Sequence, residues 1–258
     1  MDSLLNFDAI ILLAMVGVML FAGLVHGTLG LGFPMVATPI LATMMDVRAA
    51  ILVTLIPTMA VNVVSIVKAK DSLDSARHFL PLVGFALLGS VIGATILATT
   101  DPAPFRIILA GLILMYLSST FIAHIPKQWL IAKPILPMAA FGLFAGIAAG
   151  TTNVMVAVLI IYLLSLETPR SVMIPVLNSC FLVGKASQIV VLAIAGFVSV
   201  RLVIETTPLA LAAVVALFIG QHLQPRIDVS TYQSILRKLL LVLSIILIVQ
   251  FFSESRIA

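Results

Sequence analysis

The chain has 258 residues, 62% of them hydrophobic and only 9% charged, against roughly 45–50% and about 25% in soluble domains. Its 14 Lys and Arg and 10 Asp and Glu fall in short clusters between long apolar runs, so a water-soluble globule is excluded and the surrounding medium is lipid bilayer. The net charge of +4 comes from cations standing singly or in pairs beside those runs, with no basic stripe of the kind nucleic acid requires, so no nucleic-acid partner is expected. One cysteine, Cys180, allows no intramolecular disulfide.

Along the chain, Asp2 and Asp8 precede the first apolar run without a cation, which makes that run a membrane helix rather than a cleaved signal peptide. The apolar segments are 8–26, 34–45, 48–69, 78–98, 104–124, 134–149, 153–165, 170–196, 202–223 and 231–252. Eight approach the length of about 20 residues that crosses a bilayer. Segments 34–45 and 153–165 reach only about 18–20 Å as helix. They are either re-entrant hairpins or helices that begin deep in the membrane. If all ten cross with the N-terminus outside, Lys68, Lys70, Arg77, Lys127, Lys133, Arg170, Arg226, Arg237 and Lys238 lie inside, and only Arg48, Arg106, Arg201 and Arg256 outside. If the short segments do not cross, the bias towards the cytoplasm that positions Lys and Arg disappears. Ten crossings with both termini periplasmic is therefore the expected topology.

The chain also repeats itself. Gly23, Gly27 and Arg48 are answered by Gly142, Gly146 and Arg170, and Ser65 by Ser187; Pro81, Ile92-Gly93 and Asp101 return as Pro208, Ile219-Gly220 and Asp228. The expected fold class is an all-α integral membrane protein of about ten transmembrane helices. They form two inverted repeats of five, residues 1–127 and 128–258, with short broken helices starting near the midplane.

Two stretches resist a helix. Residues 26–34 hold Gly27, Gly30 and Gly32 before Pro34, and residues 150–153 read Gly150-Thr151-Thr152-Asn153. Glycine costs about 1 kcal/mol relative to alanine within a helix, and proline suits a first turn. Thr151, Thr152 or Asn153 are expected to cap the helix that follows. Inverted symmetry would bring both short-helix starts to one shared point, where their positive dipole ends favour a small anionic substrate. The pairs Gly23/Gly27 and Gly142/Gly146 also have the small-xxx-small spacing of tight helix packing.

Candidate substrate-binding residues are His26, Thr28, Gly30, Gly32, Asn62, Thr151, Thr152, Asn153, Asn178, Lys185 and Gln188. Asn62 belongs to a stripe with Thr54, Thr58 and Ser65, while Asn178 and Lys185 share a helical face. Lys185 lies about 22 Å along its helix from Arg170; an ammonium there requires an anion, water or carbonyl partner. His26 is a candidate proton carrier or anion ligand. No Asp or Glu falls in the middle of a segment, so a carboxylate proton relay is missing. No catalytic residue, metal or cofactor is expected: there is no His-Glu-x-x-His and no Gly-x-Ser-x-Gly. A homo-oligomer is left open.

The stretch Gly23-xxx-Gly27-xx-Gly30-x-Gly32-Phe33-Pro34, with Pro39 and Arg48 and the second block at Gly142–Arg170, resembles the sulfite exporter TauE/SafE family of membrane permeases. The resemblance implies a bacterial cell inner-membrane protein that moves small organosulfur or sulfur oxyanions such as sulfite or sulfonates. The second repeat departs from a glycine-rich run at Thr151-Thr152-Asn153. An alternating-access carrier is the leading expectation; a passive anion channel and a membrane-embedded enzyme are the rivals.

Overall fold

The structure is a computed structural model that describes residues 9–68, 76–122, 125–226 and 229–254. Asp2, Asp8, Lys70, Asp228 and Arg256, which enter the topology and repeat arguments above, lie outside the described residues. The helices are α1 (Ala9–Leu29), α2 (Phe33–Ala42), α3 (Val47–Lys68), α4 (Leu80–Thr99), α5 (Ala103–Ile122), α6 (Lys127–Ala132), α7 (Ile135–Thr152), α8 (Val156–Ser165), α9 (Arg170–Ile194), α10 (Val200–Leu223) and α11 (Val229–Glu254). No strand occurs among the described residues. Seven helices are long and apolar enough to cross a membrane, and Phe33–Ala42, Ala103–Ser119 and Val156–Ser165 form shorter apolar helices. They follow the order of the apolar segments in the sequence.

The outer faces carry large apolar side chains, among them Ile10, Leu88, Ile204, Leu211, Ile245 and Val249. A surface of this kind is satisfied only by lipid, where backbone amides must be paired within helices. The protein is a multi-pass membrane protein. Its most enclosed elements are the two ten-residue helices: α2 and α8 are buried on almost every face, as expected of helices that are apolar all round.

Two glycine seams set the frame. Helix α1 lies against α10, and α4 against α7. A Cβ on Gly27 would stand 2.2 Å from the Leu217 carbonyl oxygen, and one on Gly146 would stand 2.2 Å from that of Ala86. Gly220, Gly89 and Gly93 are equally close to the opposing backbones. With little hydrophobic drive between helices in lipid, such close backbone approach supplies the van der Waals contact that holds them. Between the seams, α3 packs on α9 and α10, α4 on α9, and α5 on α11.

Several contacts tie loops and helix ends. Arg48 donates to the carbonyls of Leu97 and Thr100, Lys68 to Gln221, and Gln250 to the Thr43 carbonyl. Lys127 pairs with Glu167 and, by hydrogen bonding first, holds that carboxyl below the usual carboxylate range.

Glycines in the seams and outside them should respond oppositely to alanine. Gly146→Ala should lower thermal stability in detergent because the new methyl meets a backbone oxygen. Gly17→Ala, with nothing within 4 Å of the added atom, should be neutral or stabilising by up to about 1 kcal/mol. Melting the two variants side by side checks this.

Candidate functional site

The first interruption is narrower than the glycine pattern suggests. Helix α1 continues through Gly27 to Leu29, because that glycine serves the seam with α10. The chain breaks only where Gly30 (φ 81°) and Gly32 (φ 101°) take left-handed conformations, which cost glycine nothing. Pro34 then sits in the first turn of α2.

His26 closes this break from within. Its Nδ1 accepts the Phe33 N–H at 3.3 Å, one of the first-turn donors that α2 itself cannot satisfy. That assigns the proton to Nε2, which donates to Ser65 Oγ at 2.9 Å; Ser65 donates in turn to the Val61 carbonyl. Both ring nitrogens are thereby engaged. The loose carbonyls at the end of α1 are met from α9: Arg170 donates to Leu29 O at 2.9 Å and Asn178 to Gly30 O at 3.0 Å.

The second interruption departs from the sequence expectation. Thr151, Thr152 and Asn153 do not cap the following helix; they finish the preceding one. Thr151 and Thr152 bond back to Ile147 O and Ala148 O at 2.8 Å, as hydroxyls on helices do. Asn153, with φ 65°, ends α7 in the left-handed region. The residue preceding α8 is Met155, with no side-chain cap bond. Gly150 remains helical because it packs on α4, its added Cβ standing 2.5 Å from Ala94 N. Thr28 behaves like Thr151, bonding back to Leu24 O and Val25 O.

Around Asn153 lies the densest polar cluster of the interior. Its amide donates to Thr38 Oγ1 and Thr54 Oγ1, both at 3.0 Å, which leaves Oδ1 to accept from Lys185. Lys185 also donates to Gln188 Oε1, and Gln188 Nε2 donates to Gly150 O at 2.8 Å. Lys185 is 3% exposed and all its partners are uncharged.

These contacts also fix how the breaks lie relative to one another. On α9, Asn178 meets the first break and Lys185 the second, about 10 Å further along. On α3 the order is reversed, with Thr54 at the second break and Ser65 at the first, about 16 Å apart. Helices α3 and α9 therefore run antiparallel. Helix α2 starts at the first break and reaches the second at Thr38. Helix α8 starts at the second break and leads to Arg170, which is bonded at the first. The short helices pass one another instead of meeting start to start, so the single shared point expected for their N-termini is not formed. Each positive end faces away from the other break.

Between the breaks, polar atoms remain without partners. Thr58 Oγ1, both Asn62 amide atoms and Asn178 Oδ1 are buried and unbonded among the described residues, and Asn62 is 0% exposed. Buried amides are almost always paired, so an amide orphaned at both ends marks a place meant for something else. Thus His26, Gly30, Gly32 and Asn178 gather at the first break, Asn153, Lys185 and Gln188 at the second, and Asn62 between them. Thr28, Thr151 and Thr152 are occupied by their own helices. Thr38 was not singled out from the sequence; its signal was a hydroxyl in the middle of a short, otherwise apolar buried helix. No group of three or more His, Cys, Asp or Glu that could hold a metal ion occurs among the described residues.

A polytopic helical membrane protein with two interrupted helices around a buried polar centre has the architecture of a solute transporter rather than of a receptor for macromolecules. The chain matches the family described as Sulfite exporter TauE/SafE over residues 15–251, and it belongs to that family. The family is one of membrane transporters of sulfur anions. No curated protein and no solved structure matches the chain.

Two substitutions should separate scaffold from site. His26→Ala should destabilise the protein by about 1–3 kcal/mol by leaving the Phe33 N–H unpaired. Asn62→Leu should raise stability by about 1–3 kcal/mol, since it removes an unpaired buried amide, and should lower substrate binding. Thermal melts with and without ligand read both.

Proposed function

We propose that this protein is a secondary transporter that exports a small organosulfur or sulfur oxyanion, such as sulfite or a sulfonate, across the bacterial inner membrane by alternating access. The observation that carries this reading is Lys185, an interior cation held only by the amide oxygens of Asn153 and Gln188. Charge in the membrane interior is costly unless it meets an opposite charge or water, and no carboxylate among the described residues bonds to it. An anionic solute supplies the missing partner. Asn62, Thr58 and Asn178 offer further hydrogen-bonding groups along the path.

Ten crossings with both termini periplasmic agree with the ties between loops. Lys127 and Glu167 fall on one side only if α7 and α8 both traverse, and Lys68 with Gln221 and Gln250 with Thr43 likewise require α8 to cross. Two inverted repeats of five agree with the packing. Exchanging α1 for α7, α2 for α8, α3 for α9, α4 for α10 and α5 for α11 turns the α1–α10 seam into the α4–α7 seam. It likewise turns the α4–α9 contact into α3–α10. The start of α2 then faces anions arriving from the cytoplasmic side and the start of α8 those from the periplasmic side. Lys185 and Asn62 are both buried.

Purified protein in proteoliposomes should give saturable, trans-stimulated flux of labelled sulfonate. Non-saturating flux would point to a channel, and absence of flux with every sulfur anion would overturn the reading. Lys185→Ala and Asn153→Ala should each weaken binding about tenfold or more while the protein remains inserted. Normal transport by both would show the site to be misplaced.

A further inference from the structure

We infer that the interior site takes singly charged sulfur oxyanions in preference to doubly charged ones. This rests on the anion-transport reading above and concerns the charge that the centre can neutralise.

The count of interior charges is short. Lys185 is one buried cation. Every other Lys or Arg among the described residues is exposed, except Arg48 and Arg106; Arg170, exposed as well, donates to the Leu29 carbonyl at the first break, about 22 Å along α9 from Lys185. The two exceptions lie in the first turns of α3 and α5, where Arg48 donates to the carbonyls of Leu97 and Thr100 and Arg106 to that of Met45. His26 adds no charge, since its Nδ1 accepts the Phe33 N–H and so carries no proton. Among the described Asp and Glu the most enclosed is Glu205, its side chain 8% exposed, and it pairs with Arg201 in the first turns of α10. What remains around the path is neutral: the orphaned Asn62 amide, Thr58 Oγ1 and Asn178 Oδ1.

A monoanion beside the Lys185 ammonium makes the centre electrically neutral, so the neutral polar groups along the path need supply only hydrogen bonds and no charge. A dianion of the same headgroup would leave one negative charge in a low-dielectric interior with no second cation to meet it. The helix starts do not compensate, because α2 and α8 point their positive ends away from the space between the breaks. The site therefore matches an alkanesulfonate or bisulfite, and it discriminates against disulfonates, sulfate and fully ionised sulfite. Specificity of this sort comes from the penalty imposed on the wrong ligand.

Alkanesulfonates test this cleanly, because their charge is constant across neutral pH. The purified full chain is titrated in thermal-shift measurements with ethanesulfonate and with ethane-1,2-disulfonate, and both compete against labelled ethanesulfonate flux in proteoliposomes. The disulfonate should need roughly tenfold or more higher concentration for the same shift and the same inhibition. In Lys185→Gln the monosulfonate should lose its advantage over the uncharged dimethyl sulfone, whereas Lys185→Arg should keep the order seen in the unmodified protein. Equal or tighter binding of the disulfonate to the unmodified protein would overturn the inference and leave the transport reading standing. Persistence of the monosulfonate preference in Lys185→Gln would do the same. If neither sulfonate nor sulfite shifts the protein or crosses the membrane, the transport reading fails and the inference with it. Should Lys185→Gln not fold, the comparison in the unmodified protein and in Lys185→Arg still decides.

Discussion

In hydrocarbon there is no water to take up a stray amide or carbonyl, so each interruption of a helix must find its partners inside the protein. This constraint organises the interior. At the first break Arg170 and Asn178 accommodate the carbonyls of Leu29 and Gly30, and His26 takes the Phe33 N–H. At the second, Gln188 bonds the Gly150 carbonyl, and Asn153 turns the chain while joining α7 to α2, α3 and α9. His26, Thr38, Thr54, Ser65, Asn153, Asn178, Lys185 and Gln188 are thus engaged at the breaks, while Thr28, Thr151 and Thr152 bond back to their own helices. Among the buried polar atoms without a partner, those of Thr58, Asn62 and one oxygen of Asn178 lie along the stretch between the breaks.

The same constraint explains why one long helix serves both interruptions. Helix α9 carries Arg170 and Asn178 for the first break and Lys185 and Gln188 for the second, so a shift of α9 along its axis would disturb both together. Helix α3 does the same in the opposite sense with Ser65 and Thr54. The glycine seams, by contrast, pack backbone directly against backbone. They join helices distant in sequence, α1 with α10 and α4 with α7, through backbones too close to admit even a methyl group.

Composition and segment length made the membrane environment and the two short helices legible, because apolar length is a one-dimensional property. The ends of the breaks were less so. Glycine does two jobs here, packing at Gly27, Gly146 and Gly150 and bending the chain at Gly30 and Gly32, and spacing alone does not separate them. The left-handed Asn153 shifted the second break by three residues for the same reason. Lys185, Asn153 and Gln188 were each visible as polar residues in apolar surroundings, but their meeting is tertiary. How far α2 and α8 slide past one another depends on side-chain contacts such as Thr38 with Asn153. That is why the convergent arrangement of helix starts, plausible from symmetry, is not the one adopted.

The backbone pattern recurs but the chemistry does not. At the spacing of 122 residues that carries Arg48 onto Arg170 and Ser65 onto Ser187, Lys185 corresponds to Val63, which is exposed, and Asn62 corresponds to Gly184. Gly184 leaves room for Ser90, whose hydroxyl bonds the Gly184 carbonyl at 2.8 Å; an amide there would displace it. Thr58 likewise corresponds to the buried Cys180. A doubled cation would place two ammonium groups in one apolar interior, each raising the cost of the other. A single interior charge therefore stands at one break, with no counterpart at the position 122 residues earlier.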